Sequence, residues 1–333
     1  MNVIFLCDSE KKFRAVFPDS VIEKLRAHAT LDGRLYTKAD VLSDPEGFTE
    51  TEAIFSTWGM PVFTEEEIRR CFPRLKFLFY AAGTVQKFAR PFLSCGVRVF
   101  SAWAANGVPV AEYTVAQIIL ANKGFFSHTR LMQQERYKEA KAHTAIYPGS
   151  YGARVGLIGC GMIGSMVAER LRAYRLSVLV FDPFLKRERA EALGVRQTDL
   201  DEIFRTCTVV SNHLANNEAT QGILKYRHFA SMPPYATFLN TGRGAQVVED
   251  DLVRALIERP DLTAVLDVTY PEPPVSGHPL YTLENCFLTP HIAGSLGDEV
   301  VRMAEYMIDE YLSCVGGGAC RYEVTPDMLL TMA

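Results

Sequence analysis

The stretch from residue 155 to residue 182 limits the possible folds of this chain more than any other. It reads as a short apolar strand, a Gly-x-Gly-x-x-Gly turn formed by Gly159, Gly161 and Gly164, a helix, a second apolar strand, and Asp182 at its end. Asp182 follows Gly164 by 18 residues, near the spacing of about 20 expected for a ribose-binding acid. This order predicts a dinucleotide-binding βαβ unit. An ordinary glycine-rich loop in an α/β domain is the alternative.

The turn and the helix after it suit a pyrophosphate, because glycines let the backbone approach it closely. The N-terminus of the helix that follows is expected to offer unpaired N–H groups and the positive end of the helix dipole. A carboxylate at Asp182 accepts a hydrogen bond from the ribose 2′-OH and repels a 2′-phosphate, so we predict NAD rather than NADP. Lys186 and Arg187 follow; they could weaken this preference or belong to a solvated helix face.

Composition excludes several other classes of protein. A length of 333 residues suggests two domains, and 48% hydrophobic with 22% charged residues is typical of a soluble globular chain. The net charge of −4 gives no electrostatic reason to expect a nucleic-acid partner. No apolar run approaches the roughly 18 residues of a membrane span, so no membrane partner is predicted.

The N-terminus and the cysteines favour a cytoplasmic location. Residues 1–8 lack the basic region and cleavage site of a signal peptide and read as a strand. The eight cysteines are scattered and mostly in apolar contexts, as reduced cytoplasmic thiols are. The closest pair, Cys314 and Cys320, does not match common zinc spacings, and no histidine follows it. We therefore predict no metal site.

The first hundred residues alternate predicted strands with predicted helices, which favours βαβ units around a parallel sheet. The strands are predicted at Val3–Cys7, Arg34–Tyr36, Ala53–Thr57, Leu75–Ala81 and Val97–Phe100, and the helices at Val21–Ala29, Thr64–Phe72 and Val85–Arg90. Pro91 is expected to stop the last helix. The small residues Ala82 and Gly83 follow a strand, so their N–H groups could hold a carboxylate, or they could form a plain turn. Trp58 could line the same cleft or fill the core.

A mostly helical segment from Val108 to about Lys138, with Pro109 in its first turn, reads as a connection between domains. The polar stretch Gln133–Tyr147 could be an arm for a partner subunit or a solvated helix face. After Asp182 the alternation continues. Strands are predicted at Thr208–His213, Ala236–Asn240, Thr263–Val268 and Cys286–Leu288, which gives six with the two around the glycine turn.

Four polar motifs follow these strands, where ligands of open parallel sheets bind. They are Asn212–Ala215, Asn240–Gly244, Asp267–Pro273 and Thr289–Gly294. An arginine, an acid and a histidine therefore reach one edge of the predicted sheet. Each alone has a structural interpretation, such as a turn or a solvated loop, so their joint placement carries the functional hypothesis.

These three residue types suit hydride transfer to a 2-oxo acid. Hydride addition to a carbonyl makes an alkoxide, and His291 could supply the proton because histidine titrates near neutral pH. Glu272 could orient the ring and favour its protonated form. Arg243 could bind the substrate carboxylate bidentately.

With these motifs the chain resembles the D-isomer-specific 2-hydroxyacid dehydrogenases, most strongly from Val108 to Gly297. The resemblance implies an α/β fold with two doubly wound parallel sheets. A flavodoxin-like substrate-binding domain (residues 1–101 and 299–333) would hold an inserted Rossmann NAD-binding domain (102–298). It also implies catalytic roles for Arg243, Glu272 and His291, and a homodimer formed through the cofactor domains.

The resemblance also supplies the expected ligand contacts. Substrate contacts are expected at Trp58, Ala82, Gly83 and Arg243. Cofactor contacts are expected at Gly159, Gly161, Met162, Ile163, Gly164, Asp182, His213, Ala215, Thr220, Thr241, Gly242, Arg243, Asp267, His291 and Gly294.

Two positions depart from the family pattern. Ala215 stands where proline is common, and Thr269 stands where an aromatic residue is frequent. An NAD(H)-sensing interaction protein of corepressor type is the alternative function, since such proteins can keep the same residues. A third hypothesis is a related NAD enzyme such as a formate dehydrogenase. It predicts glutamine at the position of Glu272, so the glutamate in this chain disfavours it.

Overall fold

The structure is a computed structural model that describes residues 1–330. The strands are β1 (Asn2–Leu6), β2 (Thr30–Tyr36), β3 (Ala53–Ser56), β4 (Phe77–Tyr80), β5 (Arg98–Ser101), β6 (Tyr151–Ile158), β7 (Arg175–Phe181), β8 (Arg196–Gln197), β9 (Val209–Asn212), β10 (Thr237–Asn240), β11 (Thr263–Leu266), β12 (Cys286–Leu288) and β13 (Glu323–Val324). The α-helices are α1 (Glu10–Val16), α2 (Asp19–Arg26), α3 (Lys38–Ser43), α4 (Glu65–Cys71), α5 (Ala89–Ser94), α6 (Trp103–Asn122), α7 (Phe125–Gln133), α8 (Tyr137–His143), α9 (Met162–Leu171), α10 (Arg187–Leu193), α11 (Leu200–Thr206), α12 (Tyr226–Ala230), α13 (Glu249–Glu258) and α14 (Val301–Val315).

The chain divides into two compact units. The first contains Met1–Gly107 and the C-terminal segment from Ser295, and the second contains Val108–Gly294. The sequence led us to expect domain limits at 101/102 and 298/299. The assignment of the first unit to substrate binding remains a prediction. Within the described residues, no helix is both long enough and apolar enough to cross a bilayer.

The first unit has a flavodoxin-like sheet. Its strand order is β13-β5-β4-β3-β1-β2, in which β1 to β5 are parallel and β13 pairs antiparallel with β5. The order of the parallel strands, 2-1-3-4-5, is that of a doubly wound flavodoxin-like sheet. Aromatic residues fill its core, and Tyr311 of α14 contacts the rings of Phe55 and Phe79. The final helix therefore packs on the N-terminal part of the chain.

The second unit has a Rossmann-type sheet of the order β12-β11-β10-β9-β6-β7-β8, and all its pairs are parallel. Alternate residues of each strand face opposite sides. On β10, for example, Phe238 packs in one apolar core and Leu239 in the other. Helices cover both faces, which explains why the central strands are mostly apolar. The predicted fold class is confirmed.

Three local predictions were wrong. The sheet of the second unit has seven strands rather than the six that we predicted. The additional one is the edge strand β8, which has only two residues and therefore no recognisable sequence pattern. Residues 85–88 are not helical. Pro91 lies inside α5 instead of ending a helix. It is tolerated there because backbone N–H groups in the first helical turn have no partner within the helix, so the missing N–H of proline costs nothing. The long helical segment begins earlier, at Trp103, so Pro109 lies in the interior of α6. It breaks at Gly124, whose φ is +68°.

Candidate active site

The carboxyl ends of the strands in the second unit form one row. Phe181, Ile158, Asn212, Asn240, Leu266 and Leu288 are in register across the sheet. The residues that follow them directly are Asp182, Gly159, His213, Thr241, Asp267 and Thr289. The parallel register thus brings all the predicted motifs of this unit to a single edge.

The glycine turn between β6 and α9 is tightly packed on one side and open on the other. A Cβ at Gly159, whose φ is +93°, would lie 2.7 Å from His213 O, and one at Gly164 would lie 2.2 Å from Gly159 O. Neither position can carry a side chain without moving backbone. A Cβ at Gly161 would meet nothing within 4 Å. The open side is where a phosphate group can approach the backbone.

Helix α9 begins at this turn without a side-chain cap. Gly161 is its N-cap residue, and no side chain among residues 1–330 caps the first turn. Met162 and Ile163 are the first helical residues, and both are half-buried. An uncapped helix N-terminus that faces open space suits the pyrophosphate of a dinucleotide.

Asp182 is held beside the glycine turn. Its Oδ2 accepts a hydrogen bond from Cys160 N at 2.7 Å, and its Oδ1 accepts one from Phe184 N at 2.8 Å. Both bonds fix the carboxylate at the end of β7, next to the turn that would bind the phosphates. This placement is the one required for an acid that binds the adenosine ribose.

His213 lies between the glycine turn and the end of β9. Its Nε2 is 2.9 Å from Ser211 Oγ. Burial lowers the pKa of His213 to about 4, so the ring is neutral near pH 7. The side chain therefore adds no positive charge to this edge of the sheet.

A buried network of three side-chain amides, which the sequence analysis missed, connects β9, β10 and the loop after β10. Asn212 Nδ2 donates to Asn240 Oδ1 at 3.0 Å and to Gln246 Oε1 at 2.5 Å. Gln246 Nε2 donates to the carbonyls of Leu214 and Ala215, at 2.7 and 3.0 Å. Each amide is at most 1% exposed. We call Asn212, Asn240 and Gln246 the amide network.

Arg243 lies on the loop that this network supports. Its backbone N donates to Gln246 Oε1 at 3.3 Å, and its carbonyl accepts from Asn240 Nδ2 at 3.2 Å. The guanidinium Nη1 donates to Gly242 O at 2.7 Å. That bond uses one of the five N–H donors of the group, so the fork can still bind a carboxylate.

Close backbone packing brings the Arg243 loop against the loop after β11. A Cβ at Gly244 would lie 2.0 Å from the carbonyl carbon of Thr269. Thr269 is 8% exposed, and its hydroxyl donates to Pro271 O at 3.0 Å. Glu249 Oε1 also accepts from Tyr270 N at 2.6 Å, and burial raises the pKa of Glu249. The segment that leads to Glu272 is therefore held from two sides.

Asp267, which is 2% exposed, organises the loop that carries His291. Its Oδ1 accepts from Thr289 Oγ1 at 2.6 Å and from Ile292 N at 2.8 Å, and its Oδ2 accepts from Ala293 N at 2.9 Å. Its carbonyl accepts from His291 N at 3.0 Å. These bonds surround His291, whose φ of +56° lies in the left-handed region that is uncommon for residues other than glycine.

His291 and Glu272 form a pair on neighbouring loops. His291 Nδ1 is 2.7 Å from Glu272 Oε1, and the two side chains are 46% and 43% exposed. The hydrogen bond sets the orientation of the imidazole and leaves Nε2 as the nitrogen that can reach a ligand. The pair predicted from the sequence is therefore formed in the folded chain.

A family model described as "D-isomer specific 2-hydroxyacid dehydrogenase, NAD binding domain" matches residues 115–293, more than half of the chain. The chain belongs to this family. The match coincides with the second unit, and the glycine turn, the uncapped helix and Asp182 all suit NAD. The second unit is therefore the NAD-binding domain of this family.

Individual relatives carry several enzyme names. A D-3-phosphoglycerate dehydrogenase of Archaeoglobus fulgidus is 30% identical over 225 residues, which are 67% of this chain and 42% of that protein. The chain thus spans less than half the length of this relative. A glyoxylate reductase of Korarchaeum cryptofilum is 26% identical over 292 residues, which are 85% of this chain and 84% of that protein.

Solved structures agree with the fold. A phosphoglycerate oxidoreductase from Rhizobium etli is similar with a TM-score of 0.82 and 19% identity, covering 98% of this chain and 99% of the other. At this identity the similarity concerns the fold alone.

The other predicted cofactor contacts also lie in the second unit. Thr220 Oγ1 donates to Ala215 O at 2.6 Å, so the Ala215 carbonyl is held by Thr220 and by the amide network. Thr241 is 9% exposed and its Oγ1 lies 3.1 Å from Thr114 Oγ1 of α6. Gly242 N donates to Asn240 Oδ1 at 3.1 Å. Gly294 is half-buried at the end of the His291 loop.

The first unit places its predicted substrate contacts at the ends of β3 and β4. Ser101 Oγ donates to Ala82 O at 2.9 Å and also to Gly83 O, and a Cβ at Gly83 would meet nothing within 4 Å. Trp58 is half-buried and packs against the core of this unit. Their contact with a substrate remains a prediction.

Proposed function

We propose that this chain interconverts a 2-oxo acid and the corresponding D-2-hydroxy acid with NAD(H). His291 is the acid/base, Glu272 is its partner and Arg243 is the anchor of the substrate carboxylate. The observation that carries the proposal is the hydrogen bond of 2.7 Å between His291 Nδ1 and Glu272 Oε1. The pair lies on loops at the carboxyl ends of the parallel strands, where the glycine turn and Arg243 also lie.

In the reducing direction His291 donates its proton from Nε2. NADH, when bound at the glycine turn and Asp182, would supply the hydride, and the carbonyl oxygen of the substrate would then gain negative charge. A histidine within hydrogen-bond reach of that oxygen neutralises it. Glu272 keeps the ring in one orientation through Nδ1 and favours the protonated imidazole. The half-exposed position of both side chains allows a ligand to reach them.

Arg243 orients the substrate through its carboxylate. A guanidinium binds a carboxylate through two parallel hydrogen bonds, which fixes direction as well as position. The backbone of Arg243 is tied to Gln246 and Asn240, and its loop is packed against Thr269. A fixed anchor holds the reacting carbonyl close to the acid/base, which lowers the entropic cost of the reaction.

Oxidation of NADH in the presence of 2-oxo acids tests the proposal. The panel contains glyoxylate, hydroxypyruvate, pyruvate and bulkier aliphatic and aromatic 2-oxo acids, because the relatives carry the names of enzymes with different substrates. We expect turnover with at least one 2-oxo acid and a product of D configuration. Failure to turn over any of them, by a protein that binds NADH, would refute the proposal.

Three further expectations belong to this proposal. The relatives bear enzyme names and do not support the alternative of an NAD(H)-sensing interaction protein. A homodimer formed through the NAD-binding unit stays a prediction, which light scattering of the purified protein would test. Cytoplasmic location also stays a prediction.

A further inference from the structure

Two thiols and one carboxylate meet near the C-terminal end of the first unit. Glu310, Cys314 and Cys320 each present a ligand atom, and all three atoms lie within 4.8 Å of one another. None of the three residues belongs to the proposed catalytic site. We call them the thiol cluster.

Helix geometry and the bonds of the following loop position the cluster. Glu310 and Cys314 are four residues apart on α14, so they share one face of the helix. The loop after the helix reverses the chain at Gly317, whose φ is +72°. Gly318 N donates to Ser313 O at 2.8 Å, and Ser313 Oγ donates to Ala319 O at 2.9 Å. These bonds bring Cys320 back to Cys314.

The charges of the cluster suit a cation. Glu310 is 4% exposed, and both of its oxygens accept a hydrogen bond from Arg321 N at 3.0 Å. Within the described residues it forms no salt bridge. The neighbouring cation Arg98 is held bidentately by Glu323, at 2.8 and 2.6 Å, and it also hydrogen-bonds to Cys320, a contact that a metal ion at the cluster would replace. Glu310 is therefore a buried carboxylate whose charge is not paired, and such a charge is costly.

We propose that Glu310, Cys314 and Cys320 bind one zinc ion, with water as the fourth ligand. Zinc takes thiolate and carboxylate ligands at about 2.3 and 2.1 Å in tetrahedral geometry, so its ligand atoms lie about 3.5–3.8 Å apart. Small side-chain rotations bring atoms that are within 4.8 Å to that spacing. Cys314 and Cys320 are partly exposed, which gives the ion an entry path.

Zinc binding at this cluster releases protons. Burial and a hydrogen bond to Cys320 raise the pKa of Cys314, so its thiol is protonated without metal. The ion displaces the protons of both thiols and balances the Glu310 charge. A disulfide between the two cysteines would leave the Glu310 carboxylate without a role. The presence of a carboxylate beside the two thiols therefore favours a metal ion.

Titration of the full-length, reduced and metal-stripped protein with Co²⁺, followed by competition with Zn²⁺, tests the site. We expect one equivalent of Co²⁺ with thiolate-to-cobalt charge-transfer absorption, and displacement by Zn²⁺. Cys314→Ser and Cys320→Ser should lose the absorption. Glu310→Gln should weaken binding by at least about tenfold, since even changes around metal ligands cost about 10–100-fold. Cys95→Ser, which changes a partly exposed thiol outside the cluster, should bind as the parent does.

A second measurement covers variants that fold poorly. Zn²⁺ should protect Cys314 and Cys320 of the unaltered protein from alkylation, measured by mass spectrometry, and leave Cys95 unprotected. Absence of the charge-transfer absorption in the folded parent would overturn the proposal. Unchanged absorption in both serine variants, unchanged affinity in Glu310→Gln, or equal alkylation with and without Zn²⁺ would overturn it as well.

Discussion

Replacing Gln246 by Met tests whether the amide network positions the Arg243 loop. Gln246 is fully buried, and methionine has a similar length and no amide. The substitution removes the bonds to Asn212 Nδ2, Arg243 N and the carbonyls of Leu214 and Ala215. Asn212 keeps its bond to Asn240, and the Ala215 carbonyl keeps Thr220. Of these four groups, Arg243 N and Leu214 O are therefore the two that lose their bond to Gln246 and keep no other bond to the amide network or to Thr220.

The expected cost follows from these two groups. A buried polar group without its partner costs about 1–3 kcal/mol, and the bond to Arg243 N is long at 3.3 Å. We therefore expect the free energy of unfolding in urea to fall by about 2–4 kcal/mol. A displacement of reacting groups by about 1 Å can cost roughly 100-fold, so kcat/KM for the best 2-oxo acid should fall about 10–100-fold, in part through a higher KM. NADH affinity should change less.

Two variants separate positioning from simple loss of an amide. Gln246→Glu keeps an acceptor for Arg243 N but cannot donate to the carbonyls of Leu214 and Ala215, so it should recover more of the KM than of the stability. Gln221→Met changes an exposed amide and should leave both quantities unchanged. Stability within about 0.5 kcal/mol of the parent, the range of ordinary surface changes, with unchanged KM in Gln246→Met, would refute the reasoning.

Three other predictions concern single residues. Asp182 should make the protein bind NAD(H) more tightly than NADP(H), because a 2′-phosphate meets its fixed negative charge; equal dissociation constants for the two cofactors would contradict this. Arg243→Ala should raise KM for 2-oxo acids and lower kcat with little effect on NAD binding; a parental kcat/KM would mean that another group is the anchor. His213 has a folded-state pKa of about 4, below its unfolded value of about 6.5, so its contribution is present above pH 6.5 and is lost as pH falls toward 4. Urea unfolding of His213→Gln between these pH values should show a shallower loss of stability, and an identical slope would argue against burial of the ring.

The strand-end motifs could be predicted from the sequence because parallel strands in register bring their carboxyl ends together. Gly159, Asp182, Asp267 and Thr289 lie at that edge for this reason. The cap of α4 was predictable as well, since Thr64 and Glu67 form the capping box that their spacing of three residues indicates.

Other features depend on contacts that no local pattern carries. Asn212 and Gln246 are 34 residues apart, and only the pairing of β9 with β10 brings their amides together. The left-handed φ of His291 follows from the bonds of Asp267 around it. The thiol cluster was missed because Glu310 joins Cys314 only through the register of α14, and Cys320 only through the loop that reverses the chain.

The most direct test of the central claim is the rate of the His291→Ala variant with NADH and its best 2-oxo acid. We predict a kcat lower by about 10²–10⁴-fold, the usual contribution of a positioned acid/base. The variant should still bind NADH, because the glycine turn that would hold the phosphates lies on a different loop. Glu272→Gln, which keeps the shape of the partner, should lose less. A His291→Ala variant that reduces the substrate at the parental rate would contradict the assignment of His291 as the acid/base.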